Sequence, residues 1–204
     1  MPCPSWSISA KRCVLGSELR KQADTVCSKC YAHKGHFVMG PVHKANEQRL
    51  LAFYAVEDWH VYMARYIELL VPIGDPHFRW FSSGDLQSAT MLTTIFKVCE
   101  LTPTVRHWLP TQERGFVEQA LRMADKPDNL VIRISGPMIN GVPPLADNTS
   151  VVVGPVSKEA WTKRVAANTH TRFHCEASAG DDYACGTCRA CWDSTVETVV
   201  YKLH

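Results

Sequence analysis

Apolar residues recur at helical spacing in two central segments of the chain. Between about His43 and Leu70, the residues Phe53, Val56 and Met63 mark one face of a predicted helix. A second predicted helix carries four apolar positions, namely Leu92, Ile95, Phe96 and Cys99. Because Cys99 shares the apolar face of that helix, we expect it to be a core residue.

Short apolar segments alternate with these helices and predict strands. They are Phe78–Asp85 with its terminal polar turn, Val105–Leu109, Leu130–Ile134 and Ser150–Gly154. This alternation predicts an α/β fold with a parallel sheet. The segment Pro137–Asn148, which is rich in Pro, Gly and Asn, is predicted to be a loop, and Ser157 is the expected N-cap of a short helix.

The predicted strands contain arginines at intervals of 27 residues: Arg79, Arg106 and Arg133. The regular interval supports repeated strand-helix units with right-handed crossovers. A partial or compact (β/α) barrel and an open doubly wound sheet both fit, and in either one the site lies beyond the carboxyl ends of the strands. We interpret residues 1–204 as one domain, with a cysteine loop at 1–42, a strand-helix core at 43–170 and a cysteine-rich segment at 171–204.

Polar residues at the predicted strand ends are candidates for cofactor binding. Ser83, Gly84 and Asp85 form a turn where sites occur in α/β folds. Asp85 is either a ligand-binding carboxylate or the N-cap of the next helix. Arg79 and Arg106 are candidates to bind an anionic group, because a buried guanidinium needs a partner. The alternative is that these arginines lie on a solvated face or form ion pairs with nearby acids.

Overall composition excludes some classes of partner. The 204 residues carry a net charge of +2, so the whole chain gives no strong nucleic-acid signal. The longest apolar runs are far shorter than the roughly 20 residues of a transmembrane helix, and the first residues lack the pattern of a secretory signal. We therefore expect a cytoplasmic protein whose partner is a small-molecule substrate or a redox protein, and its oligomeric state stays open.

Nine cysteines are unevenly distributed along the chain. Four lie in the first 30 residues and four in the last 30, and only Cys99 lies between them. In a reducing compartment such terminal groups favour metal or metal-sulfide ligation over disulfides.

The C-terminal group contains a compact ligand motif, with Cys185, Cys188 and Cys191 spaced as C-x2-C-x2-C. This spacing favours an iron-sulfur cluster, expected to be [4Fe-4S], over structural zinc, which usually takes two separated pairs of ligands. Cys175 is the nearest candidate for a fourth ligand, and His174 is the alternative.

The N-terminal group contains Cys13, Cys27 and Cys30, with Cys3 further upstream. Three thiolates on a [4Fe-4S] cluster would leave one iron open to a cofactor, whereas Cys3 as a fourth ligand would close it. Two alternatives stay open: zinc bound by these four cysteines, and a single cluster with ligands from both termini.

Four motifs resemble a phage-encoded family known as gene product eighty-eight. They are Cys3-Pro4-Ser5, Cys27–Ala32, Ser83-Gly84-Asp85 and Cys185–Trp192. The resemblance runs through nearly the whole chain. It implies a phage origin, and hence the host cytoplasm as the location, without an established activity.

The cysteine loop and the turn also resemble radical S-adenosylmethionine enzymes. In those enzymes three cysteines before the first helix bind a [4Fe-4S] cluster, whose open iron chelates S-adenosylmethionine. The resemblance implies that Cys13, Cys27 and Cys30 hold such a cluster, that Asp85 binds the amine of the cofactor, and that the C-terminal cysteines hold an auxiliary cluster. A non-catalytic iron-sulfur protein and a zinc-stapled binding module are the other two hypotheses.

Overall fold

Seven parallel strands form one sheet in the computed structural model, which describes residues 3–178 and 184–203. The strands are β1 (Ser5–Trp6), β2 (His77–Trp80), β3 (Arg106–Thr111), β4 (Leu130–Ile139), β5 (Thr149–Val153), β6 (Arg172–His174) and β7 (Thr198–Lys202). Their order across the sheet is β1-β2-β3-β4-β5-β7-β6. The predicted α/β fold with a parallel sheet is confirmed.

Six α-helices occur in the described residues. They are α1 (Leu15–Leu19), α2 (Gly40–Ala55), α3 (Trp59–Leu70), α4 (Ala89–Leu101), α5 (Arg114–Met123) and α6 (Lys158–Ala166). Ser157 accepts a hydrogen bond from the backbone N–H of Ala160, so it is the N-cap of α6 as predicted. None of these helices combines the length and the hydropathy needed to span a membrane.

Helices α2 to α5 pack against one face of the sheet. Alternate strand residues such as Phe78, Trp80 and Leu109 point into this layer, because successive side chains of a strand face opposite sides. Helix α6 covers β5 and β7 through Trp161 and Val200. From β1 to β5, the strands lie side by side in the order in which they occur along the chain, and the helices lie outside them. This arrangement is typical of a segment of a β/α barrel.

The C-terminal segment covers the opposite face. Its Trp192 ring lies 5.1 Å from that of Trp108 and 5.3 Å from that of His77, centroid to centroid. The indole N–H of Trp192 donates to the backbone carbonyl of Phe78 at 2.8 Å. The segment is therefore fixed to β2 and β3 on the side away from the helices.

The single helix predicted from about His43 to Leu70 is wrong, because the chain forms α2 and α3 with a break between them. Val56 has extended backbone angles and ends the first helix. The break lets Trp59 enter the core, where its ring lies 5.4 Å from Trp6 and 5.0 Å from Phe53. Burial of this aromatic cluster favours the break over a straight helix.

The predicted loop Pro137–Asn148 is also wrong at its start, because β4 continues to Ile139. The extension pairs with the cysteine loop: the N–H of Val26 donates to the carbonyl of Pro137 and the N–H of Ile139 to the carbonyl of Asp24, each at 2.8 Å. Proline lacks an N–H but keeps its carbonyl acceptor, so it is compatible with this pairing. Composition alone could not reveal a partner more than 100 residues away in sequence.

Candidate functional site

Three cysteines converge at the carboxyl ends of β2 and β3, and we call Cys13, Cys27 and Cys30 the N-terminal cysteine set. A Cβ atom placed on Gly16 would lie 3.6 Å from the Sγ of Cys13 and 3.6 Å from the Sγ of Cys27. The two sulfur atoms are therefore at most 7.2 Å apart, which is the sum of these two distances. The thiolate of Cys30 raises the pKa of both other cysteines, which places it beside them. A Cβ at position 16 would also lie 3.0 Å from the Cβ of Cys13, so glycine allows the close approach of the loop backbone to this cysteine.

The cysteine loop is held by hydrogen bonds of its own and by β4. The buried hydroxyl of Thr25 donates to the carbonyl of Leu19 at 2.7 Å and accepts from the N–H of Ser28 at 3.1 Å. Thr25 also forms an isolated antiparallel bridge to Met138. These contacts fix the backbone on both sides of Cys27.

The Ser83-Gly84-Asp85 turn lies against the first strand. Gly84 has φ +77°, and a Cβ at this position would lie 2.3 Å from the side chain of Ile8 and 2.8 Å from its carbonyl oxygen. Ser83 donates its hydroxyl to the same carbonyl at 2.8 Å. Glycine is therefore required here both for backbone conformation and for close approach.

Asp85 is buried and accepts three hydrogen bonds. Its Oδ1 accepts from the N–H of Leu86 at 2.8 Å and from the hydroxyl of Thr111 at 2.6 Å, and its Oδ2 accepts from the N–H of Gln112 at 2.8 Å. Burial raises the pKa of Asp85 to about 7. The N-cap of α4 is Ser88, so Asp85 joins the ends of β2 and β3 instead of capping that helix.

Glu113 brings a second carboxylate to the cysteines. Its Oε1 accepts from the N–H of Leu15 at 2.7 Å, and burial raises its pKa. Burial is the largest cause of the raised pKa of Cys13 and of Cys27. The charges of anionic neighbours, including Asp85 and Glu113, raise both pKa values further. With these contributions the pKa of Cys27 rises to about 12, so the thiols are protonated unless a cation joins them.

A second group of thiols lies on the covered face of the sheet. We call it the C-terminal cysteine set: Cys175, Cys185, Cys188 and Cys191. The thiolates of Cys175 and Cys185 raise the pKa of Cys188, and that of Cys175 raises the pKa of Cys191. Cys188 also donates its backbone N–H to the carbonyl of Cys185 at 2.9 Å. The fourth ligand predicted for this motif is therefore close to the other three.

Cations surround the C-terminal cysteine set. The fully buried Arg133 donates to the carbonyls of Cys191 at 3.0 Å and Ala190 at 2.9 Å. Burial raises the pKa of the Cys191 thiol to about 12, while Tyr201, whose Oη lies 3.1 Å from its Sγ, and the charges of Arg133 and Arg79 lower it.

Cys3 lies away from the N-terminal cysteine set. Burial raises its pKa to about 11, and the charges of Arg79 and Arg189 oppose that shift. Arg189 in turn responds to the thiolates of Cys185 and Cys3. Cys3 therefore shares its arginines with the C-terminal cysteine set, and the N-terminal set has three cysteines.

The two candidate arginines have different locations. The guanidinium carbon of Arg79 lies 4.5 Å from the centre of the Trp108 ring, and its Nη2 donates to the hydroxyl of Tyr31 at 3.4 Å. Arg106 lies in a strand as predicted, but it is the exposed first residue of β3, as the solvated-face alternative expects. Burial of Val105 just before the strand leaves Arg106 at the amino end, away from Asp85.

A cavity of about 450 Å³ adjoins the C-terminal cysteine set. It is lined by Arg106, Arg189, His170 and Cys188, among others. Its wall includes anionic Glu176 as well as cations, so its charge selects no single class of ligand.

In residues 3–178 and 184–203, no group of three or more His, Cys, Asp or Glu side chains is arranged to hold a metal ion. Thiols bound to one tetrahedral zinc lie about 3.8 Å apart, as follows from a Zn–S distance of about 2.3 Å. A cubane cluster binds each thiolate to a different iron and accepts a wider spacing. Metal binding by either cysteine set therefore stays a hypothesis.

The profile of the family described as Gene product 88 matches residues 2–194. The chain belongs to this family. The match spans both cysteine sets and the Ser83-Gly84-Asp85 turn, and it confirms the resemblance to the phage family found in the sequence. No curated protein and no solved structure matches the chain. The resemblance to radical S-adenosylmethionine enzymes stays a hypothesis.

Some site residues carried little signal in the sequence. Glu113 follows the end of β3, and the rule that sites form at strand ends could have found it. Gly16 lies three positions after Cys13, but only the folded loop brings Cys27 to the same glycine. Tyr201 lies on a strand that was not predicted, so its contact with Cys191 had no sequence signal.

Proposed function

We propose that this protein is an iron-sulfur protein of the radical S-adenosylmethionine type, with a catalytic [4Fe-4S] cluster at the N-terminal cysteine set. The observation that supports this proposal is the convergence of three half-buried cysteines, without Cys3, at the carboxyl ends of parallel strands. That edge is where α/β folds bind their ligands.

The residues present fit a cationic metal group. Besides burial, the charges of Asp85, Glu113 and Cys30 raise the pKa of both Cys13 and Cys27. Iron ions would relieve this repulsion, because metal binding deprotonates coordinating thiols. The approach of the Cys13 and Cys27 sulfur atoms to Gly16 supports the same assignment.

Asp85 is the candidate for the amine of S-adenosylmethionine. A carboxylate has about four acceptor positions, and three are used by Leu86, Thr111 and Gln112. The remaining position on Oδ2 can accept from an ammonium group. Gly84 keeps the backbone of the turn tight against Ile8 and so fixes the carboxylate.

A [4Fe-4S] cluster held by Cys13, Cys27 and Cys30 would supply the reductive cleavage of S-adenosylmethionine, with an external low-potential one-electron donor as the source of the electron. Asp85 would orient the cofactor, and burial of this carboxylate restricts its contact with water. Arg79, which donates to the hydroxyl of Tyr31 beside this set, is the candidate to contact an anionic substrate group.

The C-terminal cysteine set is proposed to hold an auxiliary [4Fe-4S] cluster. Four cysteines leave no iron open, and the arginines nearby would offset the negative charge of a cluster with four thiolates. A protein with clusters at both sets but no cofactor binding would be the non-catalytic alternative, and zinc at either set would make that site structural.

The host cytoplasm is the proposed location. No disulfide joins any two of the nine cysteines, all of which lie in residues 3–178 and 184–203. A reducing compartment keeps thiols available for metal ligation.

The test measures iron, zinc and acid-labile sulfide in protein purified without oxygen, followed by electron paramagnetic resonance of the reduced protein with and without S-adenosylmethionine. The proposal expects a changed spectrum on addition of the cofactor, loss of that change in Cys27→Ala, and release of 5′-deoxyadenosine. Cys99→Ala, a core thiol distant from both sets, is the matched control. An unchanged spectrum would favour the non-catalytic alternative, and zinc without iron would exclude both redox functions.

A further inference from the structure

Positive charge is concentrated around the N-terminal cysteine set. Residues 11–44 contain seven basic residues, namely Lys11, Arg12, Arg20, Lys21, Lys29, Lys34 and Lys44, and two acidic residues, Glu18 and Asp24. This segment therefore has a formal charge of +5, whereas the whole chain has +2. The near-neutral total conceals a basic segment and an acidic remainder.

All seven basic side chains are exposed. Within residues 3–178 and 184–203, two of them form ion pairs, Lys21 with Glu18 and Arg12 with Glu47. The other five have no carboxylate partner in the same described part of the chain. Exposed cations without a carboxylate partner can bind phosphate groups.

The charges act on a common location. Besides burial, the charges of Arg20 and Lys11 both lower the pKa of His33, so the two cations lie near this ring. Arg20 also contacts the Nδ1 of His33 at 3.2 Å. We call the exposed basic residues of the segment 11–44 the basic patch.

Aromatic side chains lie within this basic patch. Tyr31 is 51% exposed, and its ring lies 5.5 Å from that of Phe37. The hydroxyl of Tyr31 donates to the carbonyl of Ser82 at 2.6 Å, which holds the ring at the edge of the turn. An exposed, fixed aromatic ring among cations is the arrangement on which unpaired bases stack.

We propose that residues 11–44 bind a single-stranded nucleic acid. The exposed lysines and Arg20 contact its phosphates, and Tyr31 with Phe37 stacks an unpaired base. An acidic protein would pair with the cations but would not stack on the exposed ring of Tyr31, whereas a nucleic acid does both. This difference favours the nucleic acid. Because Tyr31 directly follows Cys30, the bound strand lies next to the N-terminal cysteine set. The binding does not depend on a cluster, but it would supply the substrate class if the proposed function holds.

The test uses fluorescence anisotropy of the full chain with a labelled single strand of about 12 nucleotides, as RNA and as DNA, at salt concentrations from about 50 to 200 mM. The patch variant Arg20→Gln/Lys29→Gln/Lys34→Gln removes three unpaired cations. We expect at least tenfold weaker binding and a salt dependence reduced by about 2 in logarithmic slope. Circular dichroism and metal content are measured on each variant to verify the fold.

A matched control removes three exposed basic residues elsewhere: Lys163→Gln/Arg164→Gln/Arg172→Gln. We expect its affinity to stay within twofold of the parent. Tyr31→Phe keeps the ring and should bind like the parent, whereas Tyr31→Leu should bind about tenfold more weakly. Parental binding by the patch variant, equal loss in the control, or equally tight binding of a duplex or of polyglutamate would overturn the proposal. None of these outcomes depends on S-adenosylmethionine.

Discussion

The two cysteine sets lie in opposite electrostatic environments. Carboxylates of Asp85 and Glu113 accompany the N-terminal set, whereas guanidinium groups of Arg79 and Arg133 accompany the C-terminal set. A cluster becomes more negative on reduction, so anionic neighbours lower its reduction potential and cationic neighbours raise it. If both sets hold clusters as proposed, the N-terminal one would be the more strongly reducing, and the one on the covered face would accept electrons or be structural.

The largest expected effect separates the sets by metal content. Cys27→Ala and Cys188→Ala should each remove about four irons from a parent that holds about eight, because each set would hold its own cubane. Iron and acid-labile sulfide analysis under anaerobic conditions measures this. Loss of all iron in both variants would indicate one cluster shared by the two termini, and the comparison would fail.

The next effect comes from the turn beside the N-terminal set. Gly84→Ala should lower the free energy of unfolding by about 2 to 4 kcal/mol, because a Cβ would meet Ile8 and the residue has a positive φ. Chemical denaturation measures the change. Gly115→Ala, where a Cβ meets no atom within 4 Å, is the control and should be neutral or stabilising. Equal effects of the two substitutions would show that the close contact with Ile8 does not matter.

A smaller effect is expected from protonation of Asp85. Burial raises its pKa to about 7, above its value in the unfolded chain, so the folded protein holds this proton while the unfolded chain releases it. The stability of metal-free protein should therefore fall between about pH 4 and pH 7, by a few kcal/mol at most.

Asp85→Asn should flatten this part of the profile, as followed by denaturation at several pH values. If the pH profile of the variant parallels that of the parent, the proton belongs to another group. Buried Glu113, whose pKa is also raised, is then the first alternative.

The smallest effect concerns the potential of the C-terminal set. Tyr201 lies 3.1 Å from the sulfur of Cys191, and a hydrogen bond to a ligand sulfur raises the reduction potential. Tyr201→Phe should lower the potential of the C-terminal cluster and leave that of the N-terminal cluster unchanged. Redox titration followed by electron paramagnetic resonance distinguishes the two. A shift in both potentials would mean that the sets are not electrostatically separate.

Regular elements were predicted well where periodicity was strong. Helix α4 has its four apolar marker positions in the core, including fully buried Cys99. Strands β2 to β5 were located within a few residues. Strands β1, β6 and β7 were not predicted, because two of them have only two or three residues and they pair with segments far away in sequence.

The candidate site residues follow from spacing and strand ends, but their grouping in space does not. The sequence leaves open whether Cys3 joins the N-terminal cysteine set and which edge of the sheet Arg106 reaches, because strand direction and sheet order decide both. The electrostatic contrast between the two sets depends on Glu113 and Arg133, whose locations require the folded sheet.

Burial of Arg133 also constrains the order in which parts of the chain can fold during synthesis. Its guanidinium is fully buried and donates to carbonyls of Ala190, Cys191, Asp193 and Val196. Until the ribosome has released those residues, the carbonyl of Thr149 at 3.4 Å is the earlier acceptor for this cation, and the acceptors that bury it are missing. The covered face of the sheet is therefore completed last, so the proposed C-terminal cluster could form only after translation has passed residue 191, whereas all cysteines of the N-terminal set emerge early.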